Sequence, residues 1–323
     1  MSCITAGYHG YAVQFSPYPD KRLACVAAQN FGISGRGALY VIDTEADVPR
    51  VGSTYAWSDG LYDVTWSERE ANILVTASGD GSIQAWNTAL PSANPVSIWH
   101  GHKKEVYSVH WSQVRTEQMV VSGSWDMTLR LWDPDRGQTL SILTGHDHIV
   151  YSGVWSPRIP GCIASTSGDQ TLRVWDIKRP HMACIVIPAH DAEVLCCDWC
   201  KYDSSVVATG AVDGVVRVWD LRNPRRWLAQ LPGHENAVRR VKFSPHEAKR
   251  LASCSYDFSI RLWDYGLSSS ALHTVSHHSE FVYGLDFDLH TPGRIADCAW
   301  DQTVKVFYAP PSLQQPPPHV KLG

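Results

Sequence analysis

The sequence repeats itself, and the length of the repeat limits what it can fold into. The segments VVSGSWDMTLRLWD, IASTSGDQTLRVWD, VATGAVDGVVRVWD and LASCSYDFSIRLWD end at Asp133, Asp176, Asp220 and Asp264, in steps of 43 or 44 residues. VTASGDGSIQAWN ends at Asn87, 46 residues before the first of them, and a degenerate GALYVID ends at Asp43, 44 residues earlier still. ADCAWDQTVKVFY carries the series forward to Tyr308. Seven copies therefore fill almost all of the 323 residues. A unit of this size cannot bury its own apolar face, so neighbouring copies must stack to build a core.

Spacing within the copies predicts the kind of unit. Turn aspartates Asp80, Asp126, Asp169, Asp213, Asp257 and Asp301 each stand six residues before an aromatic, Trp86, Trp132, Trp175, Trp219, Trp263 or Phe307. Four residues before the aspartate comes Thr76, Ser122, Ser165, Thr209 or Ser253. Twenty-three or 24 residues before it comes His102, His146, His190, His234 or His278. Trp, Ser/Thr, His and Asp at these spacings can form one buried hydrogen-bonded chain per unit, which satisfies each polar group and pins a loop to a tight turn. Between the landmarks residues alternate, as in Val106, Ser108, His110 against Tyr107, Val109, Trp111, which is strand periodicity. Periods of about 40–45 residues with Gly-His and Trp-Asp marks are those of WD40 repeats. The fold class expected is all-β, a seven-bladed WD40-type β-propeller over residues 1–308. Residues 1–8 are expected to supply the closing strand of the last blade, removing its exposed edge. The Pro-rich end, residues 309–323, cannot continue a ladder and is expected to be disordered or extended.

Composition excludes several functions. The formal charge is −4, which disfavours a general nucleic-acid binder. No apolar run is long enough to span a bilayer, and residues 1–10 lack a secretory signal pattern. Nine scattered cysteines, an odd number, suit reduced thiols in the cytoplasm better than a disulfide framework. The repeated histidines each have a partner in their own unit, so no metal site is expected. Cys197 and Cys200 form a lone C-x-x-C inside a strand, without the second ligand pair that zinc requires. The run from Gly32 to Gly37 lacks phosphate-loop spacing and reads as a turn. No catalytic constellation remains, and neither enzyme activity nor a cofactor is expected.

In such a ring the start of each inner strand, and the residue before each turn aspartate, point to one mouth. Tyr11, Tyr62, Tyr107, Tyr151 and Tyr283 take five of seven equivalent places, with Leu195 and Arg239 in the others. Glu105 and Glu193 stand two residues before Tyr107 and Leu195, and Trp125, Tyr256 and Trp300 precede turn aspartates. This predicts a concave aromatic rim with two carboxylates, suited to an amphipathic peptide carrying a basic residue.

Beyond the generic landmarks, the words HGYAVQFSP, DGLYDVTWSE, EVYSVHWSQ, DWCKYD, RRVKFSPH and ADCAWDQT make the chain resemble the WD-repeat import receptors for type-2 peroxisomal targeting signals, from about His9 to Phe307. The resemblance implies binding of cargo proteins in the cytoplasm through an N-terminal amphipathic helical signal, and shuttling to the peroxisome. It also implies a co-receptor, either a long form of the type-1 signal receptor or a fungal counterpart, and peroxisomal docking proteins. The competing reading is a substrate receptor of a cullin-type ubiquitin ligase, for which Trp219-Asp220-Leu221-Arg222 offers a short WD-x-R match.

Overall fold

The computed structural model describes residues 2–46, 48–114, 116–310 and 313. They form seven four-stranded antiparallel sheets, arranged as the blades of a propeller. The inner strands are His9–Phe15, Leu61–Trp66, Val106–Trp111, Val150–Trp155, Val194–Trp199, Val238–Phe243 and Val282–Phe287, numbered here as blades one to seven. Blade seven takes its outer strand from the other end of the chain. Ser2, Cys3 and Ile4 pair with Lys305, Val304 and Thr303, and Thr5 N–H donates to the Gln302 carbonyl at 2.9 Å. Order continues past residue 308: Ala309 is buried, its N–H donating to the Gly293 carbonyl (2.7 Å), and Leu313 packs on the cluster holding Leu262 and Phe287. The rest of the Pro-rich end lies outside the described residues.

The core lies between blades, because each sheet has two apolar faces and meets a neighbour on both. Trp99, Val75 and Ile83 of blade two pack with Val106, Trp111 and Trp132 of blade three. At the seam, Cys3, Cys298, Val304 and Val306 pack with Val13, Phe15, Leu23 and Cys25 of blade one. Inner strands are also tied directly. A polar side chain on one accepts a backbone N–H from the next: Gln14 from Trp66 (2.7 Å), Asp63 from Val109 (3.0 Å), Ser108 from Gly153 (3.0 Å), Asp198 from Phe243 (2.7 Å). Asp286 accepts from Phe15 N–H at 2.9 Å, carrying the pattern across the seam. These bonds satisfy strand N–H groups that point into the channel and would otherwise stay unmet in a low-dielectric interior.

One backbone feature places the candidate site. In all seven inner strands the pairing register skips a residue near the start, at Tyr11, Tyr62, Tyr107, Tyr151, Leu195, Arg239 and Tyr283. A bulge twists a strand and re-aims one side chain. Here it collects seven side chains at one end of the central channel.

Candidate functional site

The His-Asp chains come first, because they hold the loops of this face. In blade three the Trp132 indole N–H donates to Ser122 Oγ (2.8 Å), the Ser122 hydroxyl to His102 Nε2 (2.7 Å), and His102 Nδ1–H to Asp126 (2.9 Å). Blade four repeats this through Trp175, Ser165, His146 and Asp169, with the His–Asp bond at 2.7 Å. Blade five uses Trp219, Thr209, His190 and Asp213, and blade six Trp263, Ser253, His234 and Asp257. Each imidazole relays one donor to one acceptor. Burial holds His102 and His146 below the ordinary histidine value, outweighing the pull of Asp126 and Asp169. Burial by itself would raise those carboxyls, but bonds from the histidine, a threonine hydroxyl and a backbone N–H hold both well below the usual range.

Blades two and seven depart from the pattern. Blade two has Trp57 where the other bridges have a histidine: its indole donates to Asp80 (3.0 Å), while buried Gln84 contacts Thr76 (2.7 Å) and Ser82 (2.6 Å). In blade seven Phe307 has no N–H to give, and Asp297 stands in the Ser/Thr place. His278 bonds Asp297 through Nε2 (3.0 Å) and Asp301 through Nδ1 (2.7 Å), and His277 Nε2 bonds the other Asp297 oxygen at 2.6 Å. Burial would lower His278, but the two carboxylates outweigh it and its pKa is raised. A carboxylate on each ring nitrogen favours the imidazolium, the form that can donate from both. His277, His278 and Asp297 are also the one group of possible metal ligands found among the described residues, and their ligating atoms are already bonded to each other.

The aromatic mouth is more closed than the sequence suggests. Tyr11, Tyr62 and Tyr283 are not on an open rim but buried, at 2, 6 and 5% exposure. Two things draw them in. The turn at Asn30–Gly32 folds over the mouth, with Tyr11 and Tyr62 hydroxyls donating to the Phe31 and Gly32 carbonyls, both at 2.7 Å. Gly32 has φ +72°, and a Cβ there would strike the Tyr11 hydroxyl. The second is Arg239, whose guanidinium lies 5.0 Å from the Tyr107 ring and 5.1 Å from the Tyr283 ring. Rings touch in sequence around it: Tyr151–Tyr107 at 6.0 Å, Tyr107–Tyr62 at 5.0 Å, Tyr62–Tyr11 at 5.1 Å, Tyr11–Tyr283 at 4.8 Å and Tyr283–Tyr256 at 5.2 Å. Burial raises the phenol of Tyr11, and pushes that of Tyr256 up to about 12, so both stay neutral donors at neutral pH.

Above this plug, Glu105, Tyr107, Trp125, Tyr151, Glu193, Tyr256 and Trp300 are half-buried and line the mouth. Glu193 accepts the Tyr151 hydroxyl at 3.0 Å. Asp59, absent from the sequence reading, is half-buried and acts electrostatically on Tyr62 together with Glu105, so the face carries three acids. The buried indole N–H groups of Trp125 and Trp300 meet no acceptor among the described residues.

Other residues of this face also escaped the sequence reading. Phe31, 48% exposed, stacks on His9 at 4.0 Å. Met127 and Phe258, at 41 and 37% exposure, follow turn aspartates with φ +68°, where blades two and five have Gly81 and Gly214. The turn itself imposes this φ, since Gln170 and Gln302 take it in blades four and seven; what is particular to blades three and six is the large apolar side chain placed there. The signal was available: the residue after each turn aspartate is glycine in two copies and bulky apolar in two others. Cys197 and Cys200 are buried free thiols facing Ser152 and the Ala248 carbonyl. Arg222 is exposed and already paired with Asp220 (2.8 Å) and Asp203 (3.2 Å). No helix among the described residues is long and apolar enough to cross a membrane.

Comparison with known proteins agrees with this architecture. The family model for "WD domain, G-beta repeat" matches residues 93–133, 137–176, 183–220 and 225–264. The human protein named peroxisomal targeting signal 2 receptor is 54% identical over 161 residues, 50% of each chain. The Dictyostelium discoideum protein of the same name is 44% identical over 136 residues, 42% of each chain. The Saccharomyces cerevisiae one is 30% identical over 228 residues, covering 61% of this chain and 60% of that one. The chain thus spans about half the length of the mammalian relatives it matches.

Proposed function

We propose, from the premise that this chain is a WD-repeat propeller homologous to proteins named peroxisomal targeting signal 2 receptor, that it is a non-enzymatic receptor for that signal. It binds the N-terminal signal of cargo proteins and, with a co-receptor, delivers them from the cytoplasm to the peroxisome. The observation that carries the reading is 54% identity to a receptor so named. The mouth supports it chemically. An amphipathic helix would lay apolar residues on Phe31, Met127, Phe258 and the half-buried aromatics. Its basic residue would face Asp59, Glu105 and Glu193.

The test is titration of a labelled signal peptide, with co-receptor present, at two ionic strengths. Glu105→Lys weakens binding without unfolding the ring. The loss is about 2–5 kcal/mol if the basic residue is desolvated and much less if the pair stays at the wet rim. Tyr107→Ala and Tyr151→Ala weaken binding with less salt dependence. Wild-type affinity in Glu105→Lys, Glu193→Lys and both tyrosine variants would place the peptide elsewhere. Recovery of a ubiquitin-ligase adaptor in place of peroxisomal cargo would favour the competing reading through Arg222.

A further inference from the structure

Arg239 lines a cavity in the central channel. It is 3% exposed, and its Nη2 meets no hydrogen-bond acceptor among the described residues. The other cations lining the two channel cavities each have a carboxylate: Arg240 has Asp63 at 3.0 Å, Lys242 has Asp286 at 3.5 Å and Lys201 has Asp198 at 3.0 Å. His110 adds no charge, since burial, and then Lys242, pushes its pKa down to about 3. Arg239 alone among these cations has no ion pair with a carboxylate among the described residues, and the one other unpaired charge, Glu68, lines the second cavity and not that of Arg239. The faces of Tyr107 and Tyr283 stabilise the guanidinium in part, but cation–π attraction does not replace a counter-charge in a dry interior.

Room for that counter-charge is limited. A cavity lined by Arg239, Tyr151, Leu195, Cys196 and Ser108 holds space for a few water-sized species. A peptide segment cannot enter it from above, because the buried rings of Tyr11, Tyr62 and Tyr283 close that mouth. Toward the opposite mouth the cavity adjoins a second one, which shares Gln14, His110 and Lys242 with it. A small ion has a route there.

We propose that the central channel is a binding site for one small monovalent inorganic anion, chloride being the common case, held by Arg239 Nη2 beneath the tyrosine plug. The site does not depend on the receptor reading. It makes the plug, and with it the floor of the mouth above, sensitive to the anion.

The experiment uses the full chain in gluconate buffer, with chloride or bromide replacing gluconate at constant ionic strength, and thermal unfolding as readout. The expected result is a rise of roughly 2–4 °C that saturates with halide, as ligand binding to the folded state requires. Arg239→Gln abolishes the rise, and Arg239→Lys keeps it with a shifted midpoint. No halide dependence in the wild-type chain, or an equal rise in Arg239→Gln, would overturn the site. Should Arg239→Gln fail to fold, crystals of wild-type protein in bromide decide. Anomalous scattering beside Arg239 sustains the proposal, and ordered water alone there refutes it.

Discussion

Blades three to six and blade seven use the same loop-to-turn geometry with opposite proton inventories. In blades three and four a buried imidazole accepts from a serine and donates to an aspartate, below its ordinary pKa. In blade seven the serine is replaced by Asp297, the tryptophan by Phe307, and His278 lies between two carboxylates that raise its pKa. The bridge of blade two does without an imidazole. The difference teaches that the fold requires a satisfied bridge between loop and turn, and not four particular residues. Blade seven, which must also accept a strand from the far end of the chain, carries the ionic version.

The largest effect expected from testing this contrast is at the seam. Deleting residues 2–7 removes the strand paired to Thr303–Lys305 and uncovers Cys3's cluster, leaving blade seven with an open edge. The variant should aggregate on size-exclusion chromatography. A monomeric, fully stable variant would show that closure does not depend on this strand.

Next come the turn aspartates. Asp126 accepts from His102, from Lys103 N–H (3.0 Å) and from Thr128, with a side chain only 9% exposed. Asp126→Ala and Asp169→Ala should each cost about 1–3 kcal/mol in urea unfolding, because buried donors lose their acceptor. Asp80→Ala in blade two should cost less, since Asp80 is exposed and water can replace it. Equal losses at Asp80 and Asp126 would erase the distinction between the bridges.

The smallest effect is in pH dependence. His102 and His146 are lowered when folded, so their blades lose stability as pH falls below the unfolded value of 6.5. His278 is raised, so its contribution is present below 6.5 and is lost as pH rises through its folded value. Converting blade seven with Asp297→Ser and Phe307→Trp should therefore make acidification from about pH 7.5 to 5.5 more destabilising, by about 1 kcal/mol. Parallel wild-type and variant curves would show that His278 does not titrate in this window.

The repeat made the seven blades, the turn aspartates and the complete bridges of blades three to six legible, since their partners lie at near-constant spacings of 23 or 24, 10 and 4 residues within one copy. The sequence by itself also pointed to the aromatic mouth, through equivalent places at the start of each inner strand. It could not say that Tyr11, Tyr62 and Tyr283 would be buried. That follows from the Asn30–Gly32 turn of blade one lying over a ring of its own blade and one of the next, and from one arginine out of seven equivalent places drawing the tyrosines inward. Nor could it show that Arg239 lacks a counter-charge, because Arg240 takes Asp63 from 177 residues away while Arg239 finds none. Repetition determines what each blade does to itself. What the channel and its mouth contain is decided only when seven unequal copies close into a ring, where contacts are set by position around the axis and not by distance along the chain.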